Sequence, residues 1–186
     1  MTTATTAQGF AIFETPLGAC GIAWNDRGIT GLQLPEADVE ATRARLCRRW
    51  PGAIESEPSA DAQRAIDRVL ALLGGEAIDL ADVPLDLDGV PEFHRKVYDV
   101  ARTIPPGQTL TYGDIAKRLG VPREAREVGQ ALGRNPVAII VPCHRVLAAN
   151  GKMGGFSANG GVATKRRMLE IEGALGSGPL FDFMRS

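Results

Sequence analysis

Gly89-Val90-Pro91 divides a stretch of short strand-like and helix-like runs from a mainly helical one, and the division limits what each half can become. Before it, residues 10–15, 17–25 and 29–34 are short runs of apolar and β-branched residues with turn chemistry at Pro16-Leu17-Gly18 and Asp26-Arg27-Gly28. That pattern predicts a small antiparallel meander. Residues 36–50 and 59–73 predict helices. The second of these places Ala62, Ile66, Val69, Leu70 and Leu73 on one face and stops at Gly74-Gly75. Val83, Leu85 and Leu87 alternate with polar residues, predicting one more extended segment. Beyond the boundary, Phe93, Val97, Val100 and Ile104 recur at helical spacing until Pro105-Pro106-Gly107. The expected class is α/β (α+β): a small antiparallel sheet with helices over 1–90, a mainly helical domain over 91–174, and a tail over 175–186, in which Leu180, Phe181 and Phe183 could dock on the body or on a second subunit.

With 186 residues and 44% hydrophobic content, the chain can bury a core as one large domain or two small ones. No apolar run approaches the ~18 residues of a membrane span, and MTTATTAQG has neither a basic nor an apolar leader segment. A cytoplasmic protein without membrane contact is expected. Cys20, Cys47 and Cys143 are far apart, in no CxxC pattern and without clustered histidine, which argues against a disulfide framework and against a metal site. Residues 1–90 hold 7 basic and 14 acidic side chains, whereas residues 91–186 hold 14 and 8. That asymmetry fits a nucleic-acid-binding half on a supporting half, because phosphate contacts come from Lys and Arg; ordinary charge scatter is the plainer alternative.

The stretch TLTYGDIAKRLGVPREAREVGQALGRNP begins with Thr111 and Asp114 spaced as a capping box, and Gly120 is placed to close a first helix carrying Ile115 and Leu119. Pro122 suits the first position of a second helix running to Leu132, so the pair reads as a helix-turn-helix. On the second helix Ala125, Val128 and Leu132 form an apolar stripe. Arg126, Gly129, Gln130 and Gly133 recur on the opposite face. Glycine inside a helix costs about 1 kcal/mol relative to alanine. Gly129 therefore serves either close helix packing or the close approach of a ligand.

VAIIVPCHRVL, residues 137–147, reads as a buried apolar strand that delivers Pro142, Cys143 and His144. A cysteine is a nucleophile only as its thiolate, which a neighbouring cation or histidine favours. On an extended chain His144 would point away from Cys143 and reach the sulfur only through a bend or a water. An inert buried thiol is the structural alternative.

The pentad Pro-Cys-His-Arg-Val, preceded by Asn135-Pro136 and REVGQALGRNP, resembles the O6-alkylguanine-DNA alkyltransferases (methylated-DNA–protein-cysteine methyltransferases). FHRKVYDVARTIPPGQTLTYGDIAKRLG is similar to the family's lead helix and first helix-turn-helix helix, and GVATKRRMLEIEG to its closing helix. The first 90 residues match loosely, through FETPLG and the strand-rich layout, and by resemblance that part is RNase H-like.

The resemblance implies direct reversal of DNA damage without a cofactor or metal. An alkylated guanine is flipped out through the minor groove, and its O6-alkyl group passes irreversibly to Cys143 in one turnover. His144 would take the thiol proton through a water, Glu172 would orient His144, Asn135 would steady the turn before the cysteine, and Tyr112 would crowd the target phosphate and protonate the departing base. Arg126 would fill the gap in the base stack; Arg123, Gly129, Gln130 and Ala131 would complete the DNA surface; Val141, Pro142, Phe156 and Ser157 would line the base pocket. The partner is then double-stranded DNA containing O6-alkylguanine, met by a monomer, with cooperative assembly on DNA left open.

Phe156 stands where the family usually has tyrosine, so a hydroxyl contact to the guanine is either missing or supplied by Ser157. The loop over 157–161 is a residue or two longer than usual. Two rivals remain: a non-catalytic alkyltransferase-like protein that recognises the damage, a class with tryptophan in place of the cysteine, and a Cys-His hydrolase, which nothing else in the sequence supports.

Overall fold

The expected meander is present in the computed structural model, which describes residues 6–175. Strands β1 (Gly9–Thr15), β2 (Gly18–Trp24) and β3 (Ile29–Gln33) pair antiparallel. A two-residue strand the pattern did not predict, β4 (Ile54–Glu55), joins parallel to β1, giving the order β3-β2-β1-β4. Helix α1 (Val39–Arg49) starts where Asp38 accepts a hydrogen bond from the Ala41 N–H at 2.8 Å, and Ser59 caps α2 (Ala60–Leu73) in the same way. Both caps use a short side-chain oxygen to satisfy an amide that the first helical turn leaves free.

The helices cover opposite faces of the sheet. On one, Leu46 and Trp50 of α1 and its C-cap pack with Phe10 and Ala23. They fit because the strands are bare beneath them: a Cβ added at Gly31 would overlap the Trp50 indole, and one at Gly21 would overlap Leu46. On the other face Ala11, Cys20, Ile22 and Leu32 meet Ala62, Ile66, Val69 and Leu72 of α2, and this cluster runs on into the second half through Val97, Tyr98, Ile115 and Val128. One hydrophobic core thus joins both halves.

Past the boundary come α3 (Glu92–Arg102), α4 (Tyr112–Arg118), α5 (Ala125–Gly133) and α6 (Gly161–Ile171). Short strands β5 (Leu110–Thr111) and β6 (Val146–Leu147) pair parallel beside them. The Thr111 hydroxyl accepts from the Asp114 N–H at 3.0 Å while the Asp114 carboxylate accepts from the Thr111 N–H at 2.9 Å, a complete capping box for α4. Helix α5 begins at Ala125 rather than at Pro122, because Glu124 N–H bonds to Val121 O at 2.9 Å and makes residues 121–124 a turn.

Two extended segments differ from expectation. Residues 83–87 form only a bridge, Leu85 to Ile29. The apolar run 137–141 is no strand: Val141 N–H bonds to Val137 O at 2.9 Å, so the run folds back on itself, and Ile139 sits at φ 71°. Its start is nevertheless held by the sheet. Leu32 of β3 donates to Pro136 O at 3.0 Å and accepts from Ala138 N–H at 3.2 Å. The edge of the N-terminal sheet therefore fixes the peptide that leads to Cys143. No described helix is long and apolar enough to cross a membrane. The expected contacts of Leu180, Phe181 and Phe183 lie outside the described residues.

Gly31→Ala should lower stability by about 1–3 kcal/mol by forcing Trp50 off the sheet. Gly52→Ala, whose added carbon meets nothing within 4 Å, should stay within about 0.5 kcal/mol of wild type. Urea unfolding of the two variants checks the contrast.

Candidate active site

Pro142 leads into a single 3-10 turn, Cys143–Arg145, so the three side chains do not alternate as they would on a strand. Cys143 is half-buried, while His144 is 1% and Arg145 4% exposed. Two ionisable side chains buried side by side require a partner. Glu172, the C-cap of α6, supplies it. Arg145 donates from Nε to Oε2 at 2.9 Å and from Nη2 to Oε1 at 2.8 Å, and its Nη1 donates to Ile104 O at 2.7 Å just past α3. His144 Nε2 lies 2.7 Å from the same Oε1.

An ionised carboxylate only accepts, so the proton between them sits on His144 Nε2. The Nδ1 lone pair is then left as an acceptor, and among the described residues it is buried without a hydrogen-bond partner. Burial pushes the imidazole pKa down, against the pull of Glu172, and keeps the ring neutral. Burial alone would raise the Glu172 carboxyl; hydrogen bonds from His144 and Arg145, with the Arg145 charge, hold it down at about 2. The result is a neutral histidine with a fixed tautomer and one free basic nitrogen.

Burial likewise raises the Cys143 thiol, opposed by a hydrogen bond from Asn135, the charge of Lys165 and the amides of Cys143 and His144. Cys143 is thus a protonated thiol with thiolate-stabilising groups already in place. Cys20, by contrast, is buried with its thiol pushed up to about 12. Asn135 closes the turn before the cysteine: its Nδ2 donates to Val141 O at 2.9 Å and its Oδ1 accepts from Val137 N–H at 2.9 Å.

Lys165 was not singled out from the sequence. Its side chain is fully buried, Nζ donates to Val146 O at 2.6 Å, and it stands 5.8 Å and 5.9 Å from the Tyr112 and Phe156 ring centroids. The signal was available, because Lys165, Met168, Leu169 and Glu172 recur at i, i+3, i+4, i+7 on the inward stripe of α6. A stripe with a charge at each end is an unusual way to bury a helix.

Cys143 opens into a cleft of about 540 Å³ whose walls include Tyr112, Arg126, Gly129, Gln130, Phe156 and Ser157. Burial and the proximity of Cys143 raise the Tyr112 hydroxyl pKa, so it stays protonated. The open question about Gly129 has a geometric answer: an added Cβ would meet only the edge of Tyr112 at 3.9 Å, an ordinary contact. Helix packing therefore does not demand the glycine; it leaves the cleft wall bare. Other expected residues lie elsewhere. Ala131 is fully buried because it follows Val128 by three residues on the inward face, and its carbonyl accepts from the Tyr98 hydroxyl at 2.7 Å. Arg123 is exposed in the turn before α5, and Val141 and Pro142 are buried. Among the described residues no three His, Cys, Asp or Glu side chains converge as a metal site would need.

Comparison with known proteins adds an independent finding. Residues 92–174 match the family described as 6-O-methylguanine DNA methyltransferase, DNA binding domain. Over 166 residues the chain is 39% identical to the methylated-DNA–protein-cysteine methyltransferase of Mycobacterium tuberculosis, covering 88% of this chain and 91% of that protein. It is 35% identical over 158 residues to the protein of the same name from Methanothermobacter thermautotrophicus, covering 85% and 81%. Among solved structures, Mycobacterium tuberculosis OGT in complex with DNA superposes with a TM-score of 0.74 at 34% identity, covering 94% of this chain and 99% of that one.

Glu172→Gln should cost about 3–5 kcal/mol at neutral pH, since it leaves the Arg145 charge buried and unpaired. The folded carboxyl titrates near 2 against an ordinary 4.5, so its contribution is present above 4.5 and drains away as pH falls toward 2. The gap between wild type and variant in urea unfolding should therefore narrow across that window.

Proposed function

The chain belongs to the methylated-DNA–protein-cysteine methyltransferase family, and from that premise we propose how its own residues carry the reaction on O6-alkylguanine in duplex DNA. It is a DNA-repair methyltransferase, and a catalytic one rather than a damage-recognition protein without transfer. The observation that carries the site assignment is the Glu172–His144 hydrogen bond at 2.7 Å beside Cys143.

Glu172 holds the proton on Nε2 and so turns Nδ1 into the base. Nδ1 takes the Cys143 proton through a water, and the sulfur displaces the alkyl carbon from O6: the S–C bond forms as the C–O bond breaks. The departing guanine gathers negative charge and takes a proton from Tyr112, whose raised pKa keeps that proton available. His144 then gives up the thiol proton to solvent and Tyr112 regains one from it, so that net one proton passes from the thiol to the guanine. Asn135 and Lys165 steady the sulfur as charge builds on it. The product is a thioether with no easy route back to a thiol, so each molecule reacts once.

We read α4, the turn and α5 as a helix-turn-helix whose bare face enters the minor groove, with the base flipped into the Cys143 cleft and Arg126 filling the stack behind it. Gly129 and Gln130 line the approach and Arg123 contacts the backbone beside it. Ser157, whose hydroxyl donates to Gly133 O at 3.2 Å, and Phe156 close the base pocket. Residues 91–174 then form the DNA-binding and alkyl-acceptor part, and 1–90 the supporting part. Sheet order β3-β2-β1-β4 with β4 parallel to β1 supports reading that part as RNase H-like.

Incubation of stoichiometric protein with duplex DNA containing O6-methylguanine should add one methyl mass, located on the Cys143 peptide and absent in Cys143→Ser. Unchanged mass with tight binding, or many turnovers, contradicts the proposal. Arg126→Ala should slow transfer from duplex about tenfold, the loss of roughly 1.4 kcal/mol, and barely change reaction with a free O6-benzylguanine base. Equal losses on both substrates would contradict the stacking role.

A further inference from the structure

A second cleft, of about 430 Å³, opens on the other side of Cys143, where the two halves meet. Arg45, Arg48 and Arg49, at i, i+3 and i+4 on α1, form one wall, and Arg134 stands on the other. No carboxylate lines it. Arg45 pairs with Glu36 at 3.1 Å, yet its Nε is buried without an acceptor. Arg49 donates to the neutral amide oxygen of Gln33 at 2.8 Å. Arg48 and Arg134 are exposed, with no carboxylate partner among the described residues.

This concentration is out of keeping with its surroundings. Residues 1–90 contain 7 basic and 14 acidic side chains, and three of those seven line this one cleft. Like charges held close without counter-ions repel. An anion would relieve the repulsion, and a planar guanidinium recognises a phosphate with paired donors.

We propose that this cleft seats a phosphodiester of the DNA strand that carries the alkylated base, so that α1 of the N-terminal half contacts DNA together with α5. The proposal rests on the reading of α5 as the DNA face. What favours DNA over a free anion is continuity: the two clefts share Leu132, Gly133, Cys143 and Ser157. Between them Gly133 has open space where a side chain would stand. A strand whose flipped base reaches Cys143 therefore has a clear path past Gly133 into the arginines.

The test is the salt dependence of duplex binding by the full chain. Arg48→Glu with Arg134→Glu alters two exposed side chains without ion-pair partners, and the thermal midpoint and the rate with free O6-benzylguanine should match wild type. Affinity for duplex containing O6-methylguanine should fall about tenfold or more, and the slope of log K against log salt should flatten by roughly 1 to 2. The double lysine variant should keep most of the affinity, and Arg64→Glu, on the exposed surface of α2, should leave the slope unchanged. An unchanged slope in the double glutamate variant overturns the proposal. So does calorimetry at constant ionic strength, if it finds a saturable inorganic-phosphate site that this variant loses while keeping duplex affinity. Arg126→Ala, measured in parallel, separates the two readings. If it alone weakens duplex binding the arginine cleft fails; if only the double variant does, the stacking role of Arg126 fails and the cleft stands.

Discussion

Glu172 brings one negative charge into a region from which water is nearly excluded, and two side chains of the Cys143 turn meet it there. Arg145 neutralises the charge with two hydrogen bonds, and His144 uses it to fix which nitrogen carries the proton. Removing one partner of such a group costs several kcal/mol, because the other charge stays buried. The same carboxylate therefore secures the fold and sets the chemistry. Through the Arg145 bond to Ile104 O it also links the ends of α3 and α6, which the sequence separates widely.

The peptide before Cys143 is constrained from the other direction. Leu32 at the edge of β3 pairs with residues 136 and 138, and Asn135 spans the turn from Val137 to Val141. Between those ties Ile139, a β-branched residue, is held at φ 71°, a conformation that costs on the order of 1–3 kcal/mol. It persists because the hydrogen bonds on either side determine it. The N-terminal half thus does more than support: its sheet edge places the turn that presents the thiol. The arginines of α1, on the far side of that edge, extend the same logic to DNA.

Much of this was legible in the sequence where signals are local. The meander, the α4 capping box and the stop at Gly120 follow from residues a few positions apart, and the cysteine pentad carries a family resemblance. The signals that failed were long-range. VAIIV looks like a strand by composition, but Asn135 folds it into a turn. Pro122 suits a helix start, but the bond from Glu124 to Val121 makes a turn first. The resemblance implies Ala131 on the DNA surface, but three residues after Val128 it turns inward and is fully buried. Lys165 and the α1 arginines went unnoticed because a charge becomes informative only when its surroundings are known to be buried or to lack a counter-charge.

The central claim is that burial keeps His144 neutral while Glu172 holds its proton on Nε2, leaving Nδ1 as the base. Nitrogen-15 NMR of the His144 imidazole reads this directly, since the protonated and bare ring nitrogens have well-separated shifts. The account predicts a protonated Nε2 and a bare Nδ1 persisting to pH values below about 6.5, the ordinary histidine pKa, with the pattern lost in Glu172→Gln. A proton on Nδ1, or an imidazolium at neutral pH, would contradict it.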